Sequence, residues 1–254
     1  MLKFFRAIRQ NLLSENKFNK YLIYAIGEIV LVVIGILIAL SINSWNEEIK
    51  NKRSEIHYLN RIANDLENDI SEFELTKETA KKRNERVLFL LDALKDVELV
   101  QKSPDYFVTS IVIAGYSHRP SISNHSFEEL KSSGRLSLIQ NEELRVSITK
   151  YYNFVFNQSQ WKFISEDVQL KYNEYSAGIL NHEQLSQVIS RSDTLNISKM
   201  ELQEIFKRFS SKKEFHSFLP RTFEDKYEFI VNMNNSKKEA ENLKIKIQTE
   251  LSQK

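Results

Sequence analysis

Two hydrophobic patterns follow one another along this chain, and they suit different surroundings. From Tyr21 to Trp45 (YLIYAIGEIVLVVIGILIALSINSW) the residues are nearly all apolar, and Ile29 to Ile42 carries no charge. As a helix, about 22 such residues cover a hydrocarbon core of ~30 Å. Tyr21, Tyr24 and Trp45 stand near the ends, where amphipathic rings favour the headgroup level. The run predicts a transmembrane helix over 21–45. A cleaved signal peptide competes with this reading, but its apolar core would be shorter and the charged segment before it is long.

From Glu47 the pattern switches to heptads. Ile49, Ile56, Ala63, Ile70 and Leu91 fall on one seven-residue series, and Leu59, Leu66, Phe73, Ala80, Val87 and Leu94 on a second. The spacing predicts one helix from Glu47 to about Leu94, continuing the span directly because no Gly or Pro intervenes. The first series turns polar at Lys77 and Asn84, which predicts a bend or a change of packing partner there. Glu47, Lys50, Asp65, Glu67, Lys81 and Arg83 read as its solvated face.

Shorter elements follow. A helix is expected from Asp105 to Ala114, stopped by Gly115, then a polar loop from Tyr116 to His125. Ser126 and Glu129 have the spacing of a capping box for a helix over Phe127 to Ser133, with Gly134 as the left-handed residue after it. Asn141 caps a helix expected to reach about Ile179. Its stripe of Leu144, Ile148, Tyr151, Val155, Trp161, Ile164, Val168, Tyr172 and Tyr175 marks it as the central core element. A weak helix is expected over Glu183 to Ile189 and another over Met200 to Phe209, opened by Ser198. The last segment, Lys213 to Leu251, is expected to kink or restart at Pro220 with Thr222 as N-cap. Phe223, Tyr227, Ile230, Ala240, Leu243, Ile247 and Leu251 are expected to face inward. The fold class is all-α: one N-terminal transmembrane helix continuing into an up-down helical bundle with long antiparallel helices. Three regions result: 1–20, a basic amphipathic segment; 21–45, the span; and 46–254, the bundle.

Composition sharpens this. Of 254 residues only 5 are glycine and 3 proline, which argues against a strand-and-turn fold and against Gly-rich phosphate loops. No cysteine is present, so disulfides, zinc–thiolate sites and cysteine nucleophiles are excluded. The net charge of +2 comes from interleaved basic and acidic residues, so no nucleic-acid partner is expected.

Charge also bears on orientation. Lys3, Arg6, Arg9, Lys17 and Lys20 precede the span, and Lys50, Lys52 and Arg53 follow it behind Glu47 and Glu48. Counting alone leans rather than decides. On a helical wheel Phe4, Phe5, Ile8 and Leu12 share a face opposite Lys3, Arg6 and Arg9, the pattern of a short helix on an anionic leaflet. The amino terminus is therefore expected in the cytoplasm, the span in the inner (cytoplasmic) membrane and the bundle in the periplasm.

Few residues suggest chemistry. Glu28 is the one carboxylate inside the apolar run; it either reaches interfacial water or pairs with a cation of a partner helix. Gly35 and Ala39 form a small-xxx-small pair that admits a close helix neighbour, hence a candidate homodimer. His118, Arg119 and His125 in the polar loop, with Arg135 after Gly134, form a candidate ligand or partner site. Their spacing matches no standard metal site. Glu128–Glu129 and Glu142–Glu143 sit at helix starts, where the helix dipole accounts for them. No catalytic residue, metal or cofactor is predicted.

Two blocks carry a resemblance. The opening FFRAIRQNLLSENKFNKYLIYAIGEIVLVVIGILIALSINSWNEE resembles the start of a bacterial family known only as domain of unknown function 6090. The run Ser126-Phe127-Glu128-Glu129-Leu130-Lys131-Ser132-Ser133-Gly134-Arg135-Leu136 to Ile139, followed by Tyr151-Tyr152, is similar to that family's second marked block. The resemblance implies a single-span bacterial membrane protein and supplies no activity. The expected function is that of a membrane-anchored, non-enzymatic, sensor-like or interaction module of the bacterial envelope. Its partners would be the lipid bilayer and either a second copy or another membrane protein. A helix running on from the span could pass a shift across the bilayer to such a partner. The alternatives are a structural envelope scaffold or spacer, and a hydrolase with an unrecognised site.

Overall fold

The computed structural model describes residues 18–157, 159–190 and 195–254. Among them there are nine α-helices and no strand: α1 (Phe18–Ala93), α2 (Val97–Lys102), α3 (Pro104–Ile113), α4 (His125–Ser132), α5 (Glu142–Asn157), α6 (Ser159–Ser176), α7 (His182–Ile189), α8 (Lys199–Ser211) and α9 (Lys213–Ser252). The basic amphipathic segment expected over Lys3 to Leu12 lies outside the described residues, as do the side chains of Tyr21, Tyr24, Trp161 and Ile164.

The chain divides into two compact units, 1–57 and 58–254. In the first, every residue from Ile29 to Glu48 is exposed. Leu31 is 65% and Ile36 55% accessible, an apolar surface that a soluble helix would have to bury. It is one helix long and apolar enough to cross a membrane.

The second unit is a helical bundle. Within it α1 and α9 run antiparallel: Lys244 pairs with Glu67 and, one heptad back on α9 and one forward on α1, Lys237 lies 2.8 Å from Glu74. Between and around them sit two apolar cores. One packs Leu59, Ile62, Leu66 and Phe73 of α1 against Leu130 of α4, Ile148 and Tyr152 of α5, and Met233, Ala240 and Ile247 of α9. The other packs Val87 and Leu90 of α1 against Phe107 and Ile111 of α3, Tyr172 of α6, Phe209 of α8, and Phe215 and Leu219 of α9. The change of partner expected near Lys77 and Asn84 is therefore real, and it occurs within an uninterrupted helix.

Local signals explain most boundaries. The Asp96 carboxylate accepts from the Glu98 N–H, 2.8 Å, and starts α2, a short helix not expected from the sequence. Pro104 opens α3, where its missing N–H costs nothing. Asn141 Oδ1 accepts from the Leu144 N–H at the start of α5. At the end of α4, Gly134 adopts φ +68°. The Gly134 and Arg135 N–H groups donate to the Lys131 and Leu130 carbonyls, a complete Schellman closure. Gly115 is required for a different reason: a Cβ there would fall 2.1 Å from the Tyr172 ring. That ring is fully buried, and its hydroxyl donates to the Ile111 carbonyl, 3.1 Å.

The helix expected from Asn141 to about Ile179 is described on either side of residue 158, as α5 and α6. Three expectations need correction. Ser126 caps nothing; α4 begins at His125, and Glu129 instead accepts from the Tyr58 hydroxyl and from Arg61 of α1. Pro220 does not restart the last helix: it sits inside α9, and Thr222 donates back to the Phe218 carbonyl rather than accepting at a helix start. A mid-helix proline costs roughly 3 kcal/mol. Burying Phe215 and Leu219 in the turn before it contributes about as much or more. Finally, Tyr227 faces out, 59% exposed. The inner stripe of α9 is 215, 219, 222, 226, 229, 233, 236, 240, 243 and 247, a regular three-and-four series that includes polar residues.

Candidate functional site

Those polar residues gather between the two cores. On α1 the inner stripe passes from Phe73 through Thr76, Ala80 and Arg83 to Val87; on α9 it passes from Leu219 through Thr222 and Lys226 to Phe229 and Met233. Asp225 of α9 and Ser165 of α6 complete the layer, the Ser165 hydroxyl donating to the Asp225 carboxylate, 3.1 Å. Lys226 is 3% exposed and donates to the Tyr116 carbonyl, 3.2 Å, where the chain leaves α3. Burial pushes its ammonium down to about 8, against the pull of Asp225, and the neighbouring Arg83 pushes the same way as burial. Burial pushes the Asp225 carboxyl up, partly offset by Lys226. Burial likewise lowers the Arg83 guanidinium. Thr76, Arg83, Tyr116, His118, Asp225 and Lys226 surround a cavity of about 10 Å³. The buried Thr76 hydroxyl has no hydrogen-bond partner, and neither does the Asn84 side-chain oxygen one residue beyond Arg83.

Beside this layer α1 holds the polar loop. Its carboxylates at Glu72, Asp69 and Asp65 accept, in turn, the backbone N–H groups of Ser121 (3.3 Å), Ser123 (2.7 Å) and Ser126 (3.4 Å). Spacings of three and four residues put all three on one face of α1, so the loop descends the helix antiparallel to it. A loop lacking secondary structure has orphan donors, and here a neighbouring helix satisfies them. Asp69 is fully buried and also accepts from the Tyr151 hydroxyl, 2.7 Å. Burial raises its carboxyl to about 6 despite those hydrogen bonds. The Tyr152 hydroxyl donates to the Ser123 carbonyl, 3.3 Å, fixing the loop from its other side.

The residues singled out in the sequence do not converge. His118 Nε2 lies 3.6 Å from the Glu72 carboxylate and borders the polar cavity. Arg119 pairs with Glu166 of α6. His125 is exposed at the first turn of α4. Arg135 is exposed over the Tyr58 ring, 6.0 Å from its centroid. Tyr58 and Glu72 are about 21 Å apart along α1, so Arg135 and His118 mark different ends of the loop's track. Among the described residues no group of three or more acidic or histidine side chains is placed to hold a metal. In the apolar unit, Gly35 and Ala39 are exposed, with nothing within 4 Å of a Cβ built on Gly35. Glu28 is partly shielded and engaged with another group of the chain.

Sequence reasoning missed Lys226, Thr222, Arg83 and Asp69. The signal was present as register: Lys226 lies seven residues from Leu219 and from Met233, and Asp69 seven from Ile62 and from Thr76. Charged side chains were read as solvated although the heptad count puts them inside.

The fold thus defines a class: an all-α bundle with a polar layer between two cores, whose first helix carries an apolar stretch long enough to span a membrane. Within that class, the chain belongs to a family of unknown function (DUF6090), whose sequence model matches residues 28–205. No similar curated protein and no similar solved structure was found. The match begins in the apolar run and ends within α8, so it takes in the loop, the α1 carboxylates and Arg83, and stops short of α9.

Proposed function

We propose that this protein is a single-pass protein of the bacterial inner membrane, with a cytoplasmic amino terminus and a periplasmic bundle. It acts there without catalysis, as a sensing or interaction module working through a partner or a second copy. One observation carries this reading: the uninterrupted apolar surface from Ile29 to Ile42, whose exposure to water would be costly and whose length suits a bilayer. The basic residues before the span, and their alternation in the sequence with Phe4, Phe5, Ile8 and Leu12, support the orientation. A bundle whose loop is pinned residue by residue to one helix suits binding better than turnover, because its polar groups are committed to structure.

The test is a pair of carboxyl-terminal reporter fusions, one active only in the cytoplasm and one only outside it, with crosslinking in intact cells. Activity of the outside reporter and a crosslinked species are expected. Activity of the inside reporter overturns the orientation. A strictly monomeric, uncrosslinked protein overturns the interaction role.

A further inference from the structure

The polar layer contains more positive charge than it neutralises. Arg83 is half-buried on the inner face of α1, and among the described residues it makes neither an ion pair nor a hydrogen bond. Lys226 is almost completely buried and spends one N–H on the Tyr116 carbonyl. Against these two cations stands one carboxylate, Asp225, which already accepts from Ser165. Thr76, 0% exposed and with its hydroxyl unpartnered, borders the same cavity. A buried cation without a counter-charge is among the costlier arrangements a fold can hold. A buried hydroxyl without a partner adds to it.

One occupant removes both deficits. We propose that the cavity between Thr76, Arg83 and Lys226 binds a single monovalent, halide-sized anion. Among the Lys, Arg, Asp and Glu side chains that line the cavity, two cations and one carboxylate leave one positive charge, which suits a monovalent anion. The volume, about 10 Å³, bounds the size: it is the least that holds one water-sized particle, so a small halide enters with a slight outward shift of the half-buried Arg83 side chain, and sulfate or phosphate does not. The donors are of the right kind, a guanidinium, an ammonium and a hydroxyl, all of which hydrogen-bond an anion. A water molecule would satisfy Thr76 but leave the surplus positive charge of the lining in place. The Asn84 oxygen, an acceptor, does not line the cavity and does not oppose an anion there. The anion would tie α1 to α9 where neither apolar core does so. This inference is independent of the membrane reading, since every residue in it belongs to the bundle.

The full-length chain in mild detergent is unfolded thermally at constant ionic strength while gluconate, too large for the cavity, is exchanged for bromide or chloride. The expected result is a rise in Tm that saturates with halide concentration. Arg83→Met should abolish the rise. Thr76→Val, nearly isosteric and therefore safe for folding, should shift it to higher concentrations. Crystals grown in bromide should show an anomalous peak within hydrogen-bonding distance of Arg83 and Thr76. A non-saturating salt response shared by wild type and both variants, or a bromide-grown crystal with only water at that position, overturns the proposal.

Discussion

The two apolar cores and the layer between them are built from the same helices by opposite rules. In the cores each side chain contributes by volume: Leu66, Ile148 and Ala240 in one, Phe107, Phe209 and Phe215 in the other, all fully buried and closely packed. In the layer each side chain contributes only if its charge or hydroxyl finds a partner, and several do not. The cores therefore supply stability, while the layer weakens the bundle unless something completes it. That contrast is why the layer, and not the larger apolar surfaces, is the place to look for a ligand.

The largest effect should come from the cores. Phe209→Ala removes a ring packed edge-on to Phe107 at 5.1 Å, and should cost about 3–5 kcal/mol in a denaturant titration. Leu66→Ala in the other core should cost about 2–5 kcal/mol. If the layer uncouples the cores, each variant would melt in two steps, with only its own core destabilised. A single displaced transition would show that the layer transmits cooperativity.

Asp69 lies next in size, and it sharpens the rule about partners. Asp69→Ala leaves the Ser123 N–H and the Tyr151 hydroxyl buried without an acceptor, about 2–4 kcal/mol in the same titration. Asp69→Asn, which keeps an acceptor, should cost less than half of that. Because burial raises the carboxyl from 3.8 to about 6, the native state holds the proton more tightly than the unfolded chain does. Its contribution is therefore fully present below pH 4 and is lost as pH rises through 6, on the order of 3 kcal/mol. In Asp69→Asn that fall should vanish from a stability profile taken between pH 4 and 7.

Smaller still, and opposite in sign, is the effect of emptying the layer. Asp225→Asn combined with Lys226→Met removes both charges together at similar volume, and should be neutral or stabilising by up to about 3 kcal/mol. Destabilisation by more than that would mean the layer is a net source of stability and would break the comparison. Lys226 also leaves a pH signature. Depressed from 10.5 to about 8, it strengthens the fold as pH rises from 8 to 10.5, facing Asp225 and Arg83. The double variant should lack that rise.

The apolar run, the long first helix, the Asn141 and Gly134 boundaries and the antiparallel return of the last helix were legible because each rests on local pattern: charge-free length, heptads, or the chemistry of a cap. The continuity of α9 through Pro220 was not, because tertiary packing overrode local preference. The candidate site was least legible. His118 and Arg119 drew attention as loop residues, yet they contact α1 and α6, while Arg83 and Lys226 were hidden by the habit of reading charge as surface. Only the paired registers of α1 and α9 reveal that both point inward at the same level, and that pairing is a property of the folded chain.

The smallest effect separates the layer from the surface. Glu74 also sits between two cations, Lys77 at 2.6 Å and Lys237 at 2.8 Å, and its carboxyl is held down to about 2 by hydrogen bonds from Lys237 and Lys77. Yet its side chain is 40% exposed, so water screens the pairs. Glu74→Gln should cost no more than about 1 kcal/mol at neutral pH and less in high salt. What it does contribute is present above pH 4.5 and lost as pH falls towards 2, a slope opposite to that of Asp69. Profiles of the two single variants between pH 2 and 7 should therefore diverge. Three charges meet at Glu74 and three in the layer, but the Glu74 carboxylate stands in water while Asp225 and Lys226 do not, and burial rather than the number of charges sets the size of the effect.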